Sequence, residues 1–153
     1  MKFIAVILLF FFGWFSSTPF KYIETSQQTS MGGRQESGKS IHYEIKLVAK
    51  QSSTKLNFKK LWIGADEVEI HLRAADGGFL KDNSFSKKDT ITLIAYKRFL
   101  PKNGGALIYK KMDGAIGVPK EYQGVALLSY EIKGKTKYWE IKEITKLPNV
   151  NLP

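Results

Sequence analysis

The sequence contains no cysteine, and this absence removes every function that depends on a thiol. Disulfide frameworks, thiolate zinc sites, iron–sulfur clusters, cysteine nucleophiles and a bacterial lipid anchor all need at least one. Histidine is scarce as well, since His42 and His71 are the only imidazoles in 153 residues. The fold must therefore be held by a buried core, and an apolar fraction of 43% is enough to form one.

Helical periodicity and internal repeats are also missing. No segment places apolar residues at the spacing i, i+3, i+4, i+7 between recognisable caps, and no unit of about 20 to 50 residues recurs. These absences argue against helical bundles and repeat arrays. The chain is long enough for one domain and too short for a large two-domain enzyme.

Arginine is rare in a chain that is otherwise strongly basic. Of the 24 cationic residues only Arg34, Arg73 and Arg98 carry the planar group that binds phosphate in a bidentate manner, and the net charge is +10. The lysines are spread along the chain rather than clustered. We therefore expect no nucleic-acid partner, whereas weak attraction to anionic lipids or acidic glycans stays open.

The N-terminus has the pattern of an export signal. Lys2 precedes an apolar run from Phe3 to Phe15, which is shorter than the span of about 20 residues that crosses a bilayer. Small residues follow at 16–18, so residues 1–18 are predicted to be a signal peptide. The protein is accordingly predicted to be periplasmic or extracellular. A buried core helix and an uncleaved interfacial anchor are the alternatives.

Residues 19–40 are rich in Ser, Thr, Gln and Gly, which predicts a flexible linker or arm, although part of it could dock as an edge strand. The same stretch contains a full match to the P-loop pattern G-x-x-x-x-G-K-S, from Gly33 to Gly38, Lys39 and Ser40. A P-loop needs a buried strand before it and a helix after it. Polar Ser, Thr and Gln residues precede this pattern and residues with a period of two follow it, so neither requirement is predicted. A nucleotide site here therefore ranks third among the possible functions.

After residue 40 apolar side chains recur every second position, which predicts strands over 41–49, 56–63, 68–72 and 89–97. Residues 98–123 are predicted to be an excursion between sheets, in which only Ala106–Tyr109 could form a short strand, and a hairpin follows over 125–144. We predict an all-β domain over 41–153: a two-sheet antiparallel sandwich of immunoglobulin-like kind with about six or seven strands. A closed barrel is the alternative architecture.

No arrangement of residues predicts catalysis, a cofactor or a metal. Glu67, Glu69, His71 and Arg73 alternate along one predicted strand, but a carboxylate and an imidazole two residues apart are too few ligands for zinc. Ser129 lacks the G-x-S-x-G elbow of a hydrolase nucleophile. We therefore predict no catalytic, cofactor-binding or metal-binding residues.

Aromatic residues give the best indication of a contact surface. Trp62, Tyr138 and Trp139 are candidate interaction residues, since Tyr and Trp are frequent anchors in interfaces. Tyr138 and Trp139 are adjacent in a predicted strand and must point to opposite faces. One of the two is therefore expected at the surface.

Short hydrophobic motifs add a resemblance. With Leu56-x-Phe58-x-x-Leu61-Trp62-Ile63-Gly64, then Tyr122-x-Gly124-x-Ala126-x-Leu128-x-Tyr130 and Gly134-Lys135-x-Lys137-Tyr138, the chain resembles small exported β-sandwich proteins of unknown function from Bacteroidota, over about 32–148. The resemblance implies an envelope location and a small β domain, and it implies no catalytic residues.

The sequence thus favours a non-enzymatic extracytoplasmic module, structural or protein-binding, in the cell envelope. Its partner would be an unknown envelope protein or an anionic surface, with peripheral membrane contact possible. The means of contact would be edge-strand pairing or an exposed aromatic. A domain that binds a small ligand or a glycan is the alternative, and convergent polar groups in a pocket would favour it.

Overall fold

The computed structural model describes residues 17–33, 38–102 and 105–152, so most of the predicted signal peptide lies outside the described residues. Nearly all regular structure is β. The strands are β1 Phe20–Gly32, β2 Lys39–Ala49, β3 Leu56–Ile63, β4 Asp66–Val68, β5 Ile70–Ala74, β6 Thr90–Pro101, β7 Leu107–Tyr109, β8 Ala126–Ile132, β9 Lys135–Ile141, β10 Thr145–Lys146 and β11 Val150–Leu152. None of the described residues belongs to a helix with the length and apolar character needed to cross a membrane.

Two sheets pack against each other, which confirms the predicted all-β sandwich. The larger sheet has the order β10-β1-β2-β6-β5, with β11 also on β1 and β7 on β6, and the smaller sheet has the order β4-β3-β8-β9. The central order β1-β2-β6-β5 facing β4-β3-β8-β9 corresponds to A-B-E-D facing C′-C-F-G of immunoglobulin domains. The described residues contain eleven strands rather than the predicted six or seven. The short strands β7, β10 and β11 extend the larger sheet, β1 forms within the predicted linker, and the strand predicted over 68–72 is divided into β4 and β5.

Alternating apolar residues on the central strands form the core, as the period of two predicts. On β2 the inward set is Tyr43, Ile45, Leu47 and Ala49, and its partners on β6 include Ile91 and Leu93. The smaller sheet contributes Leu56, Phe58, Leu61, Leu128 and Tyr130. A bulge between Phe58 and Lys60 resolves the change of parity in β3, so that apolar residues on both sides of it face inward.

Residues 20–32, predicted to be part of a flexible arm or a docked strand, form a strand. These residues form β1, which pairs with β2 from Phe20 to Met31, so the domain begins before residue 41. Phe20 and Thr25 are the buried side chains of β1, and most of the others are half-buried or exposed. Such a strand is held largely by backbone pairing with β2, β10 and β11, and a search for buried apolar residues therefore misses it.

The strand predicted over 68–72 is in fact the junction of two strands in different sheets. Residues 66–68 form β4 on β3, whereas residues 70–74 form β5 on β6. Glu67 is therefore buried in the smaller sheet, Glu69 is exposed in the link between the two strands, and His71 is exposed on the larger sheet. The charged residues predicted to share one face of a strand are divided between the two sheets and their link.

The excursion predicted over 98–123 has two parts. β6 continues to Pro101 and turns back as β7, which extends the larger sheet as a hairpin. Residues 110–125 then cross to the smaller sheet and cover part of its outer face. Near this crossing, Nζ of Lys97 on β6 donates to the Ile63 carbonyl oxygen at 2.7 Å and to Asp66 at 2.9 Å. These bonds tie the two sheets together at the end of the sandwich where the hairpin begins.

Candidate functional site

Trp62 does not lie on a contact surface, because it is 1% exposed. It pairs with Leu127 and Glu67 on the outer face of the smaller sheet, away from the main core, and the loop containing Ile116 covers it. Its Nε1 donates to the Ile116 carbonyl oxygen at 3.2 Å. Glu67 Oε2 accepts from the Ile116 amide at 2.7 Å and Oε1 accepts from Lys60 at 2.8 Å. The tryptophan is therefore part of a second, smaller core.

Tyr138 and Trp139 lie on opposite faces, as their adjacency predicts. Tyr138 is 37% exposed beside Trp62, with Lys120 over its ring. Trp139 is half-buried on the core side and packs its ring 5.2 Å from both Phe20 and Tyr22. The three predicted interaction residues therefore do not meet in one surface.

Edge pairing is disfavoured at β9, the longest outer strand of the smaller sheet. Among the described residues no strand pairs with its second side. Lys135 pairs with Ile132 and Lys137 with Tyr130, which places both lysines on the core side of this edge. Charged residues directed inward at an edge oppose the addition of a further strand. This arrangement protects the edge rather than offering it to a partner.

The outer face of the larger sheet carries a grid of polar residues around both histidines. His42 stacks on Tyr96 with ring centroids 4.7 Å apart, and its Nε2 lies 3.5 Å from Glu44, too far for a good hydrogen bond. Glu44 is engaged by Arg73 at 2.8 Å. Within the described residues no three potential ligands from His, Asp and Glu converge on one point.

Lowering the pH below about 6.5 should destabilise the protein through His42. Burial lowers the pKa of His42, the Glu44 carboxylate opposes this and Arg73 adds to it. As the pH falls, His42 of the unfolded chain is protonated before His42 of the folded chain. The stabilising contribution of His42 is therefore fully present above about pH 6.5 and is lost as the pH decreases through the folded pKa. Thermal unfolding between pH 7.5 and 5 measures this, and His42→Gln should flatten the dependence. An unchanged pH slope in that variant, or an equal flattening by His71→Gln, would contradict it.

The P-loop pattern meets neither of its two structural requirements, because the strand before it is mostly half-buried or exposed and a strand, not a helix, follows it. A strand, β1, does precede it, but Lys39 and Ser40 begin β2, so a strand stands where the helix should start. Lys39 lies over the ring of Phe99, 5.7 Å from its centroid. Residues 34–37 of the pattern fall outside the described part of the chain.

Within residues 17–33, 38–102 and 105–152, the β6–β7 hairpin brings three exposed apolar side chains together. Leu100, Leu107 and Ile108 are 40%, 43% and 47% exposed. Leu100 and Ile108 are cross-strand partners, so they lie side by side on the same face of the hairpin. Contiguous exposed apolar residues on a soluble domain typically mark a contact with a protein or a membrane.

Cationic residues bracket this apolar pair. The hairpin register places Arg98 opposite Lys110 on one side of the pair, and the Lys110 amide donates to the Arg98 carbonyl oxygen. On the tip side, the Lys102 amide bonds the Ala106 carbonyl oxygen. Because side chains alternate along a strand, all of these positions share the face of Leu100 and Ile108. The result is an apolar centre with a basic border.

The sequence predicts at most a short strand over Ala106–Tyr109 in this region, with no strand partner for it, so it does not identify this surface. The signal was present, since Ala106–Tyr109 is apolar and Lys102, Lys110 and Lys111 flank it. What the sequence does not reveal is that β6 continues to residue 101 and places Leu100 next to Ile108. Cross-strand neighbours depend on the register, which a short strand fixes weakly.

An open groove of about 1090 Å³ runs along the crossing loop, and its lining includes side chains of both charges. Lys120 and Lys142 line it together with Glu121 and Glu140. Charges of both signs on exposed, flexible side chains select no single ligand charge. The hairpin has a more definite character.

The fold by itself assigns no activity, since immunoglobulin-like sandwiches carry many unrelated functions. Any function therefore depends on particular surface residues. No protein-family model, no curated protein and no solved structure matches this chain.

Proposed function

We propose that the protein is a non-enzymatic binding module of the cell envelope that attaches to an anionic membrane surface through the β6–β7 hairpin. The single observation that supports this is the exposed pair Leu100 and Ile108 with cationic residues on both sides. The location outside the cytoplasm is part of the proposal and follows from the leader-like residues 1–18.

The apolar residues supply the attachment that salt does not screen. Leu100, Leu107 and Ile108 each keep close to half of their surface in water. Burying the exposed part of one such side chain contributes about 1 kcal/mol. Leu100 and Ile108 share one face of the hairpin, whereas Leu107 pairs with Pro101 on the other face. The pair therefore contributes about 2 kcal/mol, less than a single lipid anchor, and the cationic residues supply the rest of the binding free energy.

The cationic residues supply orientation and selectivity for anionic lipid. Arg98, Lys102 and Lys110 border the apolar pair, and each basic residue near an anionic bilayer contributes about 1 kcal/mol. The net charge of +10 adds long-range attraction that falls with salt. An apolar pocket on a protein partner could hold Leu100 and Ile108 without cations around them. The basic border pairs instead with anionic lipid head groups, so it favours a membrane as the partner.

Co-sedimentation with lipid vesicles tests the proposal. We expect binding to vesicles that contain phosphatidylglycerol and much weaker binding to pure phosphatidylcholine. Ile108→Asp places a charge in the apolar centre and should weaken binding at least about tenfold. Ile116→Asp is the matched control, because Ile116 is equally apolar and 50% exposed but lies on the crossing loop.

A second pair of variants separates local from general electrostatics. Replacing Lys102 and Lys110 by Gln should weaken binding about tenfold, whereas replacing Lys135 and Lys137 changes the net charge equally at a distant edge and should have a small effect. Equal losses in the two double variants would show that the hairpin is not the binding site. Absence of vesicle binding, or self-association abolished by Ile108→Asp, would also contradict the proposal and point to a protein partner.

A further inference from the structure

The end of the sandwich opposite the β6–β7 hairpin brings together lysines that are far apart in the sequence. β2 and β5 end there, and β6 begins there. The connections between these strands carry exposed lysines, and a further one lies in the β8–β9 turn beside the start of β3. We call this set the basic end: Lys50, Lys55, Lys81, Lys87, Lys88 and Lys133. The fold therefore concentrates charge that the sequence disperses.

Carboxylates neutralise the basic end only in part. Asp76, Asp82 and Asp89 are the acidic residues of the same connections. Two of them, Asp76 and Asp89, accept hydrogen bonds from backbone amides of their own turns. In the described part of the chain, none of the six lysines forms an ion pair. Their positive charge is therefore available to an anionic surface.

Two of these lysines have a backbone conformation that lysine rarely adopts. The φ of Lys88 is 77° and that of Lys133 is 52°, in the left-handed region that favours glycine and asparagine. In a two-residue hairpin turn, asparagine is the usual residue at the position that Lys133 holds before Gly134. A lysine that folding disfavours at such a position indicates a role for its side chain outside the fold.

An exposed phenylalanine adds apolar surface at this end. Phe79 is 67% exposed, the largest fraction among the exposed large apolar side chains of the residues that the structure describes. It lies beside Arg73 at the edge of β5, and Lys81 follows two residues later. An aromatic ring in water among cations has the chemistry of an interfacial membrane anchor. The ring enters the head-group region, and the cations meet the anionic lipid head groups.

We infer that the basic end and Phe79 form a second binding surface for anionic lipid, so that the protein bridges two lipid surfaces. β6 has Thr90 at the basic end and Pro101 in the hairpin, and its 12 residues span about 35 Å. The hairpin can therefore bind one surface while Phe79 and the lysines bind another. The bridging rests on the hairpin attachment proposed above, whereas the second surface does not depend on it.

Clustering of lipid vesicles, measured by light scattering, tests the bridge. We expect the native protein to cluster vesicles that contain phosphatidylglycerol and to leave pure phosphatidylcholine vesicles dispersed. Replacing both Lys87 and Lys88 by Gln should slow clustering at least about tenfold, since each basic residue near an anionic bilayer contributes about fivefold. Binding to single vesicles should change much less, because the hairpin is intact. Clustering at the native rate in this variant would overturn the bridge.

Replacing Lys120 and Lys137 by Gln is the matched control for this variant. Both lysines are exposed, and they lie beside or on β9 of the smaller sheet, away from both binding surfaces. The control removes the same charge and should slow clustering less than about twofold. Equal slowing by the two double variants would show that net charge, and not the basic end, drives clustering.

The Ile108→Asp variant isolates the second surface, because its hairpin attachment is removed. We expect it to lose clustering but to keep weak binding to phosphatidylglycerol vesicles, which falls at least about fivefold when salt is raised. Adding Phe79→Asp should abolish this binding, and adding Phe79→Leu should retain most of it. Binding that Phe79→Asp leaves unchanged would overturn the second surface. If only the hairpin proposal fails, Ile108→Asp binds vesicles as the native protein does and Phe79→Asp alone loses binding.

Lys88→Asn tests whether the lysine is kept for binding at a cost in stability. Asparagine adopts a positive φ more readily, so the unfolding temperature should rise slightly while clustering slows about fivefold. Lys87→Asn is the matched control, since it removes the same charge next to Lys88 but relieves no left-handed backbone. It should slow clustering similarly without a gain in stability. A rise in unfolding temperature with unchanged clustering in Lys88→Asn would overturn the role of Lys88.

Discussion

Replacing Trp62 by Ala is expected to lower the free energy of unfolding by about 3 to 5 kcal/mol, the usual range for removing a buried aromatic side chain. Trp62 is 1% exposed, and its indole N–H holds the crossing loop through Ile116. The variant leaves a cavity and deprives the Ile116 carbonyl oxygen of its donor. Denaturant unfolding measures the loss, and amide hydrogen exchange should show faster opening of residues 112–118.

Two further variants identify the source of this loss. Tyr138→Ala removes the exposed neighbour on the same face and should cost much less, because Tyr138 is 37% exposed. Glu67→Gln keeps the shape but weakens the bonds to Lys60 and Ile116, so it should increase exchange in the loop with a smaller loss of stability. If Trp62→Ala lowered the free energy of unfolding no more than Tyr138→Ala does, the conclusion that Trp62 belongs to a second core on the outer face would be contradicted.

Replacing Gly38 by Ala is expected to cost about 3 kcal/mol. Gly38 has a φ of 68°, a conformation that costs an L-residue about 1 to 2 kcal/mol. A Cβ at this position would also meet the backbone carbonyl oxygen of Phe99, which has little freedom to move. Overpacking of this kind adds about 1 to 3 kcal/mol.

Gly64→Ala is the matched control for this prediction. Its φ of 63° is nearly the same, but a Cβ there would meet no atom within 4 Å. We expect a loss of about 1 kcal/mol, from backbone strain alone. The difference between the two variants in denaturant unfolding measures the close approach of β2 to β6. Equal losses would show that the two strands separate without cost at Gly38, and the hairpin position would then be less firmly fixed.

The sandwich could be predicted because period-two patterns survive without tertiary context. Ile45, Leu47, Ile91 and Leu93 alternate with polar residues, and in the structure they form the centre of the core. The β8–β9 hairpin was also readable, since Gly134 signals a turn and both Lys133 and Gly134 have a positive φ, at 52° and 72°. These features depend on neighbouring residues only.

The candidate sites were less readable, because they depend on residues far apart in the chain. The residue type of Trp62 predicts a surface anchor, whereas in the structure the loop around Ile116 covers it. Thr25 belongs to a stretch whose composition is typical of a polar linker, and only pairing with β2 directs its side chain to the core side of the sheet. A single strand predicted through Glu67 and His71 was in fact divided between two sheets.

The sequence by itself determined the strand-rich core, since alternation of apolar and polar side chains specifies which face of a strand is buried. It also determined the basic charge and the absence of thiol chemistry. Only the tertiary structure decided that β1 completes the larger sheet, that Leu100 lies beside Ile108, and that Thr25 pairs with the inward-facing Ile45. The physical reason is that register and loop placement are set by contacts between distant segments, and the energies of those contacts are not written in any local pattern.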